Sequence, residues 1–308
     1  MFCRSVAALA LAAFVGVANA QEKIRLAILS FSESLGAVIA DKQGFFKAEG
    51  LEVEMTKFNA GALALPVLQS GKIDISLNNT ISTLQAIEQG LDLMLVAPSA
   101  VARATAPDST TAVMFLKGTI SSAKDLEGKR VAVNVVNSTA WLYLVAMLEK
   151  RGADRTKIRY VEVPFPQMND PLLNKQVDAI GQVEPFRSVL MDSGKVDILG
   201  FTYPEVQPNA DVTQYIALTA WARKNPETVK KFARAITKGS EFANANEAAT
   251  RTINQEFTNL NPALKDRVTL PRFGTTVNTA EVRKTAELMV KYGMLKQPID
   301  VASRVMAP

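Results

Sequence analysis

Histidine is absent from this chain of 308 residues, and cysteine occurs once, as Cys3. Without histidine, the chain has no serine–histidine or cysteine–histidine nucleophile pair and no imidazole metal ligand. Because Cys3 lies in a segment that we expect to be removed, the mature chain has no disulfide and no reactive thiol. Most routes to catalysis are therefore excluded, whereas carboxylate or lysine chemistry remains possible. We predict no catalytic residues, no metal site and no cofactor.

Strong charge of one sign and long apolar runs are also missing. Apolar residues make up 48% and charged residues 21% of the chain, a balance typical of soluble globular proteins. The net charge is +5, and the basic residues occur as dispersed pairs rather than as a stripe, so we expect no nucleic-acid partner. After residue 20 no stretch stays apolar for ~18 residues, which predicts no further membrane segment. The length predicts about two domains.

The first twenty residues have the pattern of a secretory signal peptide. Arg4 precedes a short apolar run, and Ala18-Asn19-Ala20 forms a small-x-small cleavage site. We therefore expect a mature chain that starts at Gln21 and has 308 − 20 = 288 residues. No cysteine follows the cleavage site, so we expect an exported chain without a lipid anchor.

Strand and helix patterns alternate along the mature chain, and this order occurs twice. The first series has strand patterns at 24–29, 51–55, 73–75 and 93–97. The second has strand patterns at 129–133, 160–163 and 177–180. Because parallel strands joined by helices form βαβ units, the sequence predicts an α/β fold with mostly parallel sheets flanked by helices.

The two series share a local detail. Leu68 precedes Asp74 by six residues, and Leu172 precedes Asp178 by six, which supports two similarly wound lobes. A proline-rich connector and a mostly helical segment follow, and this last segment is predicted to pack back on the first lobe. The predicted division is a signal peptide at 1–20, lobe 1 at 21–100 and 210–308, lobe 2 at 112–200, and interlobe crossovers at 101–111 and 201–209.

Five segments carry a family resemblance through their order and spacing. They are GFFKAEGLEV at 44–53, LQSGKIDI at 68–75, DLEGKRVAV at 125–133, VDA at 177–179 with EPF at 184–186, and NPE at 225–227. With these segments the chain resembles the periplasmic substrate-binding proteins of ATP-driven importers, in the group that includes nitrate, taurine and alkanesulfonate binders. The resemblance covers nearly all of the mature chain. It implies a clamshell of two α/β lobes that close on a ligand between them.

The resemblance also implies where the ligand binds, at the carboxyl ends of strands and the starts of helices. Open parallel sheets bind ligands there, and a helix start offers free N–H donors and a partial positive charge, which suits an anion. Helix capping and simple turns are the structural alternatives at each position. The expected ligand residues are Ser32, Ser34, Asn59, Ala60, Asn79 and Thr80 in lobe 1, and Asn137, Ser138 and Thr139 in lobe 2.

Three charged residues complete the expected site. Glu184 accepts hydrogen bonds from a ligand amine or hydroxyl, or it braces the hinge. Arg103 and Arg187 are the candidate cations for an anionic ligand, since a bidentate arginine suits a carboxylate or a sulfonate. For Arg187 we expect surface exposure. Trp141, inside the helix that follows Thr139, is expected in the core.

The resemblance implies a periplasmic binding component of an ABC importer for a small organic anion, a sulfonate or a carboxylate, aromatic ones included. Its partners are then a membrane permease with a cytoplasmic ATPase, and the protein itself is expected to be a monomer. The alternatives are an enzyme on the same fold, of the dehydratase or pyrimidine-synthesis type, a receptor for a TRAP-type carrier or a sensor, and a binder of a pyrimidine or thiamine precursor. The pyrimidine synthases that resemble these binders need histidine and a cysteine-rich segment, which this chain lacks.

Overall fold

The computed structural model describes residues 22–306, so the predicted signal peptide lies outside the described residues. The first part of the chain alternates strands and helices. Its strands are β1 (Glu22–Leu29), β2 (Leu51–Phe58), β3 (Ile75–Asn79), β4 (Leu93–Pro98) and the short β5 (Ala100–Val101). Its helices are α1 (Leu35–Lys42), α2 (Phe45–Ala48), α3 (Gly61–Gln69) and α4 (Thr80–Glu88).

The middle of the chain repeats this alternation, and the last part is mostly helical. The middle strands are β6 (Ala112–Leu116), β7 (Arg130–Val133), β8 (Arg159–Glu162), β9 (Ala179–Gln182) and β10 (Val196–Phe201). The middle helices are α5 (Thr139–Lys150), α6 (Asn169–Leu173) and α7 (Phe186–Asp192). The last part contains α8 (Thr202–Val206), β11 (Thr213–Leu218), α9 (Thr219–Lys224), α10 (Pro226–Ala245), α11 (Glu247–Thr258), β12 (Arg272–Phe273) and α12 (Thr279–Lys291). Each helix among residues 22–306 is too short or too polar to cross a membrane.

Two five-stranded sheets have the same arrangement. The first has the order β2-β1-β3-β11-β4, and the second has the order β8-β7-β9-β6-β10. In the first sheet, β1 is parallel to β2 and β3, whereas β11 is antiparallel to β3 and β4. In the second, β7 is parallel to β8 and β9, whereas β6 is antiparallel to β9 and β10. The predicted α/β fold with mostly parallel sheets and flanking helices is confirmed.

The aspartates of the repeated sequence detail have the same role in both sheets. Asp74 accepts hydrogen bonds from the backbone N and Nε of Arg25 on β1, both at 2.9 Å. Asp178 accepts them from the backbone N and Nε of Arg130 on β7, at 2.8 and 3.2 Å. Each carboxylate therefore joins one parallel strand of its sheet, β1 or β7, to the residue directly before the neighbouring parallel strand, β3 or β9.

The chain passes between the sheets twice, and the two passages are hydrogen-bonded to each other. The first runs from β4 through β5 to β6, and the second runs from β10 through α8 to β11. Ala102 N donates to Ala210 O at 2.9 Å, and Thr202 N donates to Thr111 O at 2.9 Å. Within residues 22–306, these two neighbouring passages are the only chain connections between the two sheets.

Helices of the C-terminal part pack on both lobes. Helix α10 lies against α1, and the approach is so close that a Cβ on Gly239 would come within 2.1 Å of the Gly36 carbonyl oxygen. Helix α12 contacts α4, and it also contacts α5, where Thr285 Oγ1 lies 3.1 Å from Tyr143 Oη. Tyr292 Oη donates to Glu149 at 2.5 Å. This segment was predicted to pack back on the first lobe. The contact of α12 with the second lobe was not predicted.

Two local predictions differ from the structure. The strand expected at 73–75 begins at Ile75 and continues to Asn79, because Asn78 pairs with Gln214 on β11 in the interior of the sheet. The expected connector after residue 200 contains α8, with Pro204 in its first turn. A proline is tolerated there, since the first N–H groups of a helix have no intrahelical partner.

Candidate ligand-binding site

The starts of α4 and α5 meet where the two lobes face each other. Asn79 ends β3 and caps α4, accepting a hydrogen bond from Ser82 N at 2.8 Å. Thr139, the first residue of α5, donates from Oγ1 to Asn79 Oδ1 at 3.2 Å. Two residues that the sequence analysis selected independently, one in each lobe, are thus in direct contact. Both helix starts direct their free N–H groups and the positive ends of their dipoles toward this junction.

The loop before α5 presents the predicted residues of the second lobe. Ser138 occupies the N-cap of α5, accepting from Trp141 N at 3.3 Å and donating to Asn134 Oδ1 at 2.8 Å. Asn137 is exposed and has a φ of 62°, a conformation that asparagine adopts more readily than most residues. Trp141 is buried and lies edge-on to Tyr160, with ring centroids 6.0 Å apart. Its position agrees with the expected core role.

Thr80 is buried beneath this junction. Its hydroxyl donates to the Asp211 carbonyl and accepts from Gln214 Nε2 at 2.8 Å. Asp211 belongs to the second passage between the lobes, so Thr80 ties the start of α4 to that passage. The hydrogen bonds of Thr80 favour a structural role, and its predicted contact with a ligand stays a prediction.

The hydroxyls that follow β1 are bonded within the protein. Ser34 is fully buried, where its Oγ accepts from Leu29 N at 2.9 Å and donates to Leu29 O at 2.7 Å. Ser32 Oγ donates to Asn254 Oδ1 on α11 at 2.7 Å. These bonds favour the capping and turn-forming alternative for Ser34, while Ser32 remains half-buried at the end of the strand.

The loop after β2 has small and exposed residues. Asn59 and Ala60 are exposed, and Ala60 precedes the first residue of α3, Gly61. A Cβ on Gly61 would lie 2.4 Å from Asn78 Oδ1, so only glycine allows α3 to approach β3 this closely. The contact of Asn59 and Ala60 with a ligand stays a prediction.

The expectation of surface exposure for Arg187 is wrong. Its side chain is only 4% exposed because it lies between the second lobe and the C-terminal segment. It donates to Glu184 Oε1 at 2.5 Å, to Thr110 O at 3.0 Å and to Thr269 Oγ1 at 3.1 Å. Glu184 also accepts from Thr269 N at 3.1 Å. The following Leu270 packs in the core of the first lobe, so the Glu184–Arg187 pair spans both lobes. This geometry favours the bracing role for Glu184.

The other candidate cation, Arg103, is exposed on the first passage between the lobes. Its Nη2 donates to Leu270 O at 3.2 Å, and its backbone N donates to Asp108 at 2.9 Å. Asp108 is fully buried and also accepts from the hydroxyl and backbone N of Thr110. Among residues 22–306, Arg103 therefore has no hydrogen bond with Asn79 or Thr139.

Acidic residues near the two passages were missed as functional candidates. Burial raises the pKa of Glu33, and the nearby Asp108 charge adds to this shift. Asp211 is 1% exposed, and burial raises its pKa to about 7. Asn278 N donates to Asp211 Oδ2 at 2.8 Å, but Oδ1 has no partner among the described residues. The available sequence signal was the position of Glu33 between Ser32 and Ser34, directly after a predicted strand.

Metal binding has no structural support in the part of the chain from 22 to 306, where no group of three or more Asp, Glu, His or Cys side chains could hold an ion. The junction is formed by the hydroxyl of Thr139, the amide of Asn79 and the starts of α4 and α5. Such groups bind a small polar molecule through hydrogen bonds and helix dipoles.

The fold and the sequence of this chain are similar to those of known binding proteins. The crystal structure of the periplasmic aliphatic sulphonate-binding protein of Escherichia coli superposes with a TM-score of 0.77 over 92% of this chain and 97% of that chain, at 19% identity. The taurine-binding periplasmic protein of Escherichia coli is 27% identical over 73% of this chain and 68% of its own length. A Haemophilus influenzae protein whose name assigns it provisionally to thiamine biosynthesis is 26% identical over 85% of this chain and 84% of its own length.

The family match covers most of both lobes. It extends over residues 32–249, which is more than two thirds of the chain and includes both helix starts that meet at the junction. The family carries the description NMT1/THI5 like. The chain belongs to the NMT1/THI5-like family and has the fold of the periplasmic binding proteins.

Proposed function

We propose that the protein is the periplasmic solute-binding component of an ABC importer, and that it captures a small organic anion, a sulfonate or a carboxylate, between its two lobes. The observation that carries the proposal is the Thr139–Asn79 hydrogen bond of 3.2 Å, which joins two helix starts across the lobes. A ligand that replaces this contact would receive N–H donors from both lobes at once. The taurine- and sulphonate-binding relatives support an anion with a sulfonate group.

The two passages between the lobes, at 101–111 and 201–209, act as the hinge in this proposal. The lobes are 21–100 with 210–308 and 112–200, and they separate to admit the ligand. Ligand contacts with both lobes exist only in the closed form, so the ligand stabilises that form by its differential affinity. The permease and its cytoplasmic ATPase would then recognise closure. Export through the N-terminal signal peptide and a monomeric state complete the proposal.

The ligand leaves the protein chemically unaltered in this proposal. Since the whole chain has no histidine and its one cysteine is Cys3, no serine–histidine or cysteine–histidine pair can supply an activated nucleophile. Incubation of a bound ligand with the purified protein, followed by mass spectrometry, tests this point. Recovery of an altered product would support the enzyme alternative.

The relative named for thiamine biosynthesis favours a second candidate function, the binding of a pyrimidine precursor. A thermal-shift screen of sulfonates, carboxylates, nitrate and pyrimidines separates the two functions. A ligand with a micromolar Kd, present at millimolar concentration, stabilises the folded protein by about 4 kcal/mol. A shift with sulfonates or carboxylates supports the first function, and a shift with pyrimidines alone supports the second.

A variant pair tests the location of the site. Replacing Ser138 and Thr139 together by alanine removes the α5 cap and the contact with Asn79, and we expect at least a tenfold loss of affinity for the ligand that the screen identifies. Ser122→Ala is the matched control, because it removes another capping hydroxyl of the second lobe at an exposed turn. Calorimetry should show unchanged binding for the control. Unchanged binding by the double variant would refute the proposed location.

A further inference from the structure

The charged groups around the two passages between the lobes are unevenly paired. The guanidinium of Arg187 is neutralised by Glu184, and the Nη2 of Arg103 is bonded to a backbone carbonyl. Asp108 is fully buried and accepts hydrogen bonds from uncharged donors only. The Glu33 carboxylate has neither a hydrogen bond nor an ion pair with any other described residue, as its side chain occurs in none of those contacts within 22–306. Glu33 is therefore a carboxylate beside the first passage that no described ion pair offsets.

Glu33 lies beside the first passage between the lobes. It belongs to a 3₁₀ turn, Ser32–Ser34, that directly follows the carboxyl end of β1. Ser99 Oγ, at the start of the first passage, donates to the Glu33 carbonyl at 2.9 Å. The charge of Glu33 acts on Tyr203 in the second passage, and the ring of Tyr203 stacks on Tyr143 of α5 with centroids 3.6 Å apart. Because β1 is parallel to β3, the carboxyl ends of both strands lie at the same edge of the sheet, so Glu33 follows β1 at the edge where Asn79 ends β3.

We infer that Glu33 is a specificity-determining residue, and that it selects ligands bearing a protonated amine or an equivalent N–H donor. This inference rests on the proposed function and narrows its ligand class. The amine end of the ligand would bind Glu33, while an acidic end would lie at the starts of α4 and α5. A half-buried carboxylate without a counter-charge forms a strong, charge-assisted hydrogen bond with a cationic donor, and a ligand ammonium group supplies such a donor.

The titration of Glu33 supplies an independent readout. Burial and the neighbouring Asp108 raise the pKa of Glu33 in the ligand-free protein. A bound ammonium group favours the ionised carboxylate and lowers this pKa again, so binding of an amine should release a proton near the raised pKa. The titratable groups that face Glu33 from the passages are Asp108 and Tyr203. Calorimetry in two buffers with different ionisation enthalpies detects the released proton.

The experiment compares matched pairs of compounds that differ by the amine. The pairs are 2-aminoethanesulfonate with ethanesulfonate, 4-aminobutanoate with butanoate, and 4-aminopyrimidine with pyrimidine. Wild-type protein, Glu33→Gln and Glu241→Gln are titrated with each pair, and Glu241→Gln is the control because it neutralises an exposed carboxylate of α10. We expect at least tenfold preference for the amine in the wild type and the control, and less than threefold in Glu33→Gln.

The possible results distinguish failure of the Glu33 inference from failure of the proposed function. The inference is overturned if the wild type binds an amine-free compound as tightly as its amine partner, or if Glu33→Gln retains the preference; the proposed function survives both results. A wild type that binds no compound of any pair and none of the screened anions overturns the proposed function as well. Glu33→Gln should melt no lower than the wild type without ligand, since it removes an unpaired carboxylate. Glu33→Ala, titrated in parallel, distinguishes loss of charge from loss of shape.

Discussion

Replacement of Glu184 by glutamine should destabilise the protein strongly. The side chains of Glu184 and Arg187 are 8% and 4% exposed, and their charged atoms lie 2.5 Å apart. After the substitution, Arg187 keeps its bonds to Thr110 and Thr269 but has lost its ion-pair partner. Removal of one partner from a buried ion pair costs about 3–5 kcal/mol, because the remaining charge stays desolvated. We therefore expect a loss of about 3 kcal/mol or more in the free energy of unfolding.

Urea unfolding, followed by circular dichroism and extrapolated linearly to water, measures this loss. The matched control is Glu52→Gln, whose pair with Lys23 is 54% and 76% exposed and is expected to contribute about 0–1 kcal/mol. The double variant Glu184→Gln with Arg187→Met should recover part of the loss, since it removes the unpaired charge. A loss below about 1 kcal/mol for Glu184→Gln, equal to that of the control, would refute the reasoning that the pair is desolvated between the lobes.

Two further substitutions test the packing and the electrostatics. Gly239→Ala would place a methyl group 2.1 Å from Gly36 O, so α1 and α10 must separate. The expected loss in the free energy of unfolding, measured with urea, is about 1–3 kcal/mol. An unchanged unfolding midpoint would contradict the close approach of the two helices. The pKa of Asp211 is raised to about 7, above its value in the unfolded chain, so its contribution to stability is present at low pH and is lost as the pH rises from about 4 to about 7. Asp211→Asn should remove this loss, so we expect the variant to be more stable than the wild type at pH 8. Equal stability of the two proteins at pH 8 would show that Asp211 is not desolvated.

Periodicity was sufficient to predict most of the sheets. The strands at 24–29 and 51–55 are apolar or alternate regularly, and they overlap β1 and β2. The segment that contains Asn78 was predicted less well, because two asparagines in succession are typical of a loop. Asn78 is fully buried in β3, where β11 pairs with it from a distant part of the chain. Local sequence cannot indicate such a pairing, since its partner arrives after the whole second lobe.

The candidate site shows the same division between local and long-range information. Asn79, Ser138 and Thr139 could be selected because polar residues at helix starts after buried strands are a local pattern. The contact between Asn79 and Thr139, the burial of Arg187 and the isolation of Glu33 depend on how the two lobes meet. A sequence of polar and charged residues specifies which groups are present, but not which of them lose their water.

Neighbouring residues and composition were enough to establish the repeated βαβ order, the Leu–Asp spacing of both lobes and the absence of histidine. They did not indicate the insertion of one antiparallel strand into each sheet, the ion pair between the lobes or the partner of each carboxylate. These features depend on hydrogen bonding and desolvation, and therefore on distances between residues far apart in the chain. Those distances are fixed by packing of the complete fold.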